Sequence, residues 1–215
     1  MNSLIDQLFA NLDVWRHFPA YQLERRADVF FSIYLPDYLE TERGFDVQAI
    51  IPEFPIRVGT IHSKKEINKS FKVDYLIKVR NPGRVLFVEL KTDDSSRRLK
   101  QDWYLTAAQK VGMRSLLGGL KQIYHATSSK GKYRHLLRGL ENANLIRFSG
   151  QEDFDIVDEE NKISIVYLQP NGDGKDTITF DQLAKFVGKK QDDLSKRFSE
   201  SLREWAATTP GANGI

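Results

Sequence analysis

Three residues, Asp74, Glu89 and Lys91, set the chemistry open to this chain. Two carboxylates and a lysine are poor neighbours unless a cation or a substrate sits among them, because like charges placed directly opposite each other are destabilising. All three fall in the stretch 71–104, FKVDYLIKVRNPGRVLFVELKTDDSSRRLKQDWY. Two runs there, 73–79 and 85–91, are rich in Val, Ile, Leu and Phe and read as strands, and Arg80-Asn81-Pro82-Gly83 between them is turn chemistry. Strand alternation puts Asp74, Leu76 and Lys78 on one face of the first run. It puts Val85, Phe87, Glu89 and Lys91 on one face of the second.

Register decides whether the charges meet. With Asn81-Pro82 as a two-residue loop, Asp74 faces Glu89; with a loop of 81–84, Asp74 faces Lys91. Both arrangements gather the three residues on one face, whereas a three-residue loop without a bulge sends them to opposite faces. A competing reading makes them the solvated side of a hairpin, where ion pairs with Lys78 and Lys91 are worth little. Three features weigh against it. The strand VLFVEL is too apolar for a simple exposed strand, an acid lies fifteen residues upstream in the adjacent run, and a helix bearing Gln101 and Tyr104 follows. Those two residues, three apart at the helix start, can both point back toward the Lys91 end of the strand.

Val73-Asp74, then Val88-Glu89-Leu90-Lys91, then Gln101-x-x-Tyr104 resembles the PD-(D/E)xK nuclease superfamily, with Val73 where the family name has proline. The resemblance is specific over 73–104 and rests on element order alone over about 21–170. It implies a restriction-endonuclease-like α/β core, with a central mixed β-sheet whose first three strands form a meander, helices on both faces, and extra C-terminal helices. It implies a metal-dependent phosphodiester hydrolase acting on nucleic acid, in the first place DNA. Asp74 and Glu89 would hold Mg²⁺, or Mn²⁺ in its place, with the Leu90 carbonyl and water completing the shell. Lys91 would orient the attacking water and counter charge on phosphorus, with Gln101 and Tyr104 in positioning roles. Many family members add an acid from the helix before the first strand; Glu24, Asp28 and Glu40 are the candidates, and Glu24 is preferred because it opens an apolar helix. The alternative function is a catalytically silent module of the same fold that binds nucleic acid or a protein partner.

Basic residues gather after the site: Arg97, Arg98, Lys100, Lys110 and Arg114, followed by Lys130, Lys132, Arg134 and Arg138. Cations along a track suit phosphate contacts, and Trp103 and Tyr133 are aromatic side chains on which a base can stack. Acids at Asp93, Asp94 and Asp102 dilute the run. The net charge of +3 and a pI near 8.9 allow a nucleic-acid partner without requiring one.

The length of 215 residues, with 40% hydrophobic and 11% aromatic content, predicts one domain over 1–207 and a flexible tail over 208–215. The absence of cysteine excludes disulfides and fits a reducing, cytoplasmic setting. No signal peptide and no membrane span are expected; a homodimer is compatible with this class. In chain order the pattern predicts helices over 2–12 and 21–35, the second ended or bent by Pro36, and a bent or edge strand over 47–58 carrying Pro52 and Pro55. A long helix then runs to about 126, with Gly118-Gly119 as a close contact or bend, and a further helix covers 133–142. Strands follow over 145–148 and 163–169, flanking an acidic loop, and the C-terminal helices lie within 179–207, the first opened by a capping box at Thr179. His17, His62, His125 and His135 lack HExxH spacing, and GxSxG, GxxxxGK[ST] and GxGxxG are all absent. A serine hydrolase, a P-loop ATPase and a dinucleotide enzyme are therefore poorly supported.

Overall fold

The computed structural model describes residues 3–62, 69–80, 83–93, 99–150, 153–157 and 161–207. Alternating β-branched and aromatic runs build a five-stranded mixed sheet of order β1-β2-β3-β6-β7: β1 Val47–Arg57, β2 Ser70–Val79, β3 Arg84–Leu90, β6 Lys162–Gln169 and β7 Thr177–Thr179. A separate two-stranded ribbon pairs β4 (Ile146–Phe148) with β5 (Phe154–Ile156). β1 with β2 and β2 with β3 are antiparallel, the expected meander, and β6 with β7 is parallel. β1 is the edge strand, as its prolines require, and it carries a register shift between Val47 and Ala49. The flanking helices are α1 Leu4–Trp15, α2 Leu23–Arg43, α3 Val58–Ile61, α4 Leu99–Ala126, α5 Lys130–Asn142, α6 Phe180–Val187 and α7 Asp193–Ala207. Among the described residues no helix is long and apolar enough to cross a membrane.

Two compact units divide the chain, each drawing on distant parts of the sequence. Phe45–Glu89 and Leu99–Ile165 form one. There β2 and β3 are almost continuously buried, from Tyr75 to Val79 and from Val85 to Glu89, so they read as near-unbroken apolar runs. α4 and α5 pack against β1, and α3 against α4. The last contact is close: a Cβ on Gly119 would collide with the Thr60 side chain. Gly119 is therefore the close approach foreseen for the glycine pair, but the bend in α4 lies elsewhere, at Gly112, whose φ of 79° and ψ of 160° interrupt the helix.

Met1–Gly44, Leu90–Arg98 and Val166–Ile215 form the other unit. Its core is aromatic: Phe9, Phe31, Phe180, Phe198 and Trp205 are all fully buried. Phe198 meets Phe31 edge-on at 5.4 Å and stacks on Tyr34 at 5.5 Å. α2 departs from expectation by running straight through Pro36 to a left-handed Gly44 cap. An interior proline costs about 3 kcal/mol, but Tyr38 and Leu39 beyond it are buried, and burying such side chains gives about 1.5–3 kcal/mol each. Capping boxes open α1, at Ser3 and Asp6, and α6, at Thr179 and Gln182. Ahead of α7 the Ser195 hydroxyl, and then its backbone N–H, donate to Asp192 and hold its carboxyl below the usual range.

One charged group inside this aromatic core ties α1 to α7. Asp13 is 7% exposed, and its carboxylate accepts from Trp205 Nε1 at 2.8 Å and from Arg197 Nη2 at 2.5 Å. Arg197 also donates to the Ser201 hydroxyl at 2.8 Å. Removing one partner of a buried pair leaves the other charge uncompensated. Asp13→Ala is expected to lower stability by roughly 3 kcal/mol, read from urea melts, whereas Asp181→Ala at the exposed Lys185 pair shifts the midpoint little.

Candidate functional site

The β2–β3 hairpin fixes the first carboxylate pair. Its register sets Tyr75 against Val88, Leu76 against Phe87 and Val79 against Arg84. One further step along the same ladder sets Asp74 against Glu89, the first of the two arrangements the sequence allowed. The turn residues Asn81 and Pro82 lie outside the described residues. This face is not solvated: Glu89 has no solvent exposure, Lys78 is 8% exposed and Asp74 is half-buried. The reading of these charges as an exposed hairpin side is thereby excluded. Lys78 is instead a buried cation whose amine donates to Asn161 Oδ1.

α4 supplies the next contact. Gln101, in its first turn, donates from Nε2 to Glu89 Oε2. The amide thus meets a carboxylate that would otherwise have lost its hydration, and a hydrogen bond to an ionised group is worth about 1.5–3 kcal/mol. Tyr104, one turn on, packs elsewhere: its ring stacks on Phe71 at 5.0 Å with an interplanar angle of 15°. Gln101 therefore meets an acid while Tyr104 joins an aromatic row.

Leu90 ends β3, and Lys91 continues its line, its N–H donating to Leu168 O at 2.8 Å. Lys91 is 5% exposed, and its Nζ donates at 3.1 Å to the Leu90 carbonyl, the oxygen that the family resemblance assigns to a cation. Glu24 stands half-buried in the first turn of α2, in the other compact unit from Asp74 and Glu89. Asp28 accepts from the Val29 N–H at 2.7 Å, and Glu40 is exposed. Lys100, Lys110 and Arg114 are exposed on α4, and Arg97 and Arg98 lie outside the described residues.

The row of acids extends one strand further than the sequence reading carried it. β1 pairs Pro52 with Tyr75 and Phe54 with Val73, so Glu53 stands across from Asp74. Glu53 has a left-handed φ of 54°, is half-exposed, and pairs with Lys72 at 2.5 Å. Among the described residues no three His, Cys, Asp or Glu side chains are grouped to hold a metal ion.

Comparison with protein-family models, with curated proteins and with solved structures gives no match. What the site can do is argued from its own residues.

Asn161, Glu53 and Phe71 belong to the surroundings of this site and were not singled out from sequence, and Lys78 was read only as an ion-pair partner on an exposed face. Lys78 carried a signal, since a lysine between Ile77 and Val79 in an apolar run must either snorkel or be paired. Asn161 carried none, being eighty-three residues away in an acidic stretch. The Gln101 contact gives a direct test. Gln101→Ala, in EDTA, is expected to destabilise the chain by about 1–3 kcal/mol because a buried carboxylate loses a donor; Gln101→Glu, which adds a second carboxylate, should cost more. Denaturant melts of the three proteins rank them.

Proposed function

We propose that this chain is a metal-dependent nuclease of the PD-(D/E)xK kind, hydrolysing phosphodiester bonds of nucleic acid and in the first place DNA. One observation carries the reading: the hairpin register opposes Asp74 to a fully buried Glu89, and the helix that follows delivers Gln101 to that same carboxylate. Opposed carboxylates in a buried strand row destabilise a sheet, and a cation between them reverses the sign. The donors are all oxygen, which suits a hard ion. Two acids, with no third grouped beside them among the described residues, suit Mg²⁺, which keeps several of its waters; Mn²⁺ fits the same donors. When bound, the ion supplies Lewis acidity and a bound water of lowered pKa.

The chain's own side chains do the rest. Asp74 and Glu89 provide the charge that retains the ion, and Gln101 fixes the orientation of Glu89. Lys91 holds the attacking water and counters negative charge on the phosphoryl oxygens. In the structure its amine donates to Leu90 O, the carbonyl next to Glu89 in the chain. Lys100, Lys110 and Arg114 contribute phosphate contacts along α4.

A second reading, a nuclease-like fold that binds nucleic acid or a protein partner without cleaving it, draws support from one observation. Among the described residues the acids form a pair rather than a set of three.

Cleavage of single-stranded, double-stranded and branched DNA separates the two. Activity is expected with Mg²⁺ or Mn²⁺, none in EDTA, and a loss of about a hundredfold or more in Lys91→Ala with its fold kept, as a cooperative melt shows. Full activity in Lys91→Ala removes the assignment. Thermal melts add an independent check, since only the folded site binds the ion. Saturating Mg²⁺ is expected to raise the melting temperature of the wild type and to leave that of Asp74→Asn where it stands in EDTA.

A further inference from the structure

We infer that the aromatic row at the start of α4 is a stacking platform for an unpaired nucleobase, so that single-stranded or frayed nucleic acid is the preferred substrate; this rests on the nuclease reading above for its site of cleavage. The row consists of His62, Trp103, Tyr104 and Phe71, all within one compact unit. The His62 and Trp103 ring centroids are 5.7 Å apart, those of Trp103 and Tyr104 are 5.2 Å apart at 64°, and Tyr104 lies nearly parallel on Phe71 at 5.0 Å. The rings contact one another, and Trp103 keeps 49% of its surface exposed. An indole braced by other rings and half open to solvent offers a π-surface, and every base has a π-face to lay on it.

Charge chooses between a base and an apolar protein partner. Lys100 Nζ lies 5.8 Å from the Tyr104 centroid, and Lys69 is exposed two residues before Phe71, so two cations accompany the rings alongside the half-buried Asp102. Exposed cations interleaved with aromatic rings suit a single strand, whose phosphates and bases are both free. Gln101, on the Glu89 carboxylate, and Trp103 both lie in the first turns of α4, and a base resting on Trp103 must first leave whatever stack it belongs to. In a duplex that base is already stacked, and freeing it costs a few kcal/mol, which is the source of the preference.

The test reads binding rather than cleavage. Labelled oligonucleotides of about 12 nucleotides are titrated in EDTA by fluorescence anisotropy: single-stranded DNA, single-stranded RNA, blunt duplex, and an abasic strand that keeps phosphates without bases. The wild type is expected to bind one or both single strands about tenfold tighter than the duplex or the abasic strand, and the DNA and RNA arms say which sugar is accepted. Trp103→Ala should lose about tenfold on base-bearing strands and little on the abasic one, while Trp103→Phe, which restores an aromatic face, recovers most of the loss. Melts of both variants establish that they fold. Equal binding of duplex and single strand, equal weakening of every probe by Trp103→Ala, or no binding by the wild type overturns the platform. The two proposals fail separately. Base-dependent binding without cleavage in any metal removes the nuclease and keeps the platform. Cleavage of duplex that Trp103→Ala leaves unchanged does the reverse.

Discussion

Glu89 has no exposure to solvent, and an ionised carboxylate taken out of water loses several kcal/mol of hydration that only fixed neighbours can return. Much of the surrounding unit follows from that demand. The hairpin register that opposes Asp74 is tolerable only if something else satisfies Glu89, and the first turn of α4 brings the Gln101 amide to do so. Lys78, buried on the same strand face as Asp74, needs its own partner and finds Asn161 just ahead of β6. A core built only for stability would replace such a row with Leu and Val, since well-packed apolar residues commonly match or exceed a buried charged set. Retaining three ionisable groups on one buried face of two neighbouring strands is a cost to folding that a ligand on this face would justify.

The second unit solves a related problem differently. Its deeply buried Asp13 is satisfied within the protein by an indole N–H and a guanidinium, and around it the rings of Phe9, Phe198 and Trp205 supply the apolar burial. Nothing about that arrangement calls for a ligand. The contrast is one of surroundings: Asp13 sits among rings with a guanidinium and an indole N–H, whereas Glu89 sits in a strand row opposite a second acid and takes an amide from the next helix.

Where local chemistry dominates, the fold was legible. The meander follows from alternation on either side of Asn81-Pro82, which left two registers open, and the edge position of β1 follows from Pro52 and Pro55. The capping box at Thr179 announced α6. Features decided by distant packing were hidden. Pro36 looks like a stop, yet α2 passes it because Tyr38 and Leu39 have a core to enter. β5 and β7 span three residues each, too few to show a period, and exist because β4 and β6 offer them an edge. At the site, alternation placed Asp74 and Glu89 on one face, but pattern alone cannot separate a solvated polar face from a buried one. That is why the burial of Lys78 was hidden and why Gln101 and Tyr104, equal in sequence, could not be told apart by partner.

The break at Gly112 bears on how the chain can change over time. In an unbroken helix each inserted or deleted residue turns everything beyond it by about 100°, so a length change in one half would swing the other half's side chains off their targets. α4 is relieved of that rule. Its first segment answers to the Glu89 carboxylate and the Phe71 ring, its second to α3 and β1, and a residue with extended ψ separates the two rotational phases. The segment carrying Gln101 and Trp103 can therefore lengthen, shorten or alter its presented face while the half anchored at Gly119 stays in phase, which makes this end of the helix the part freest to diverge.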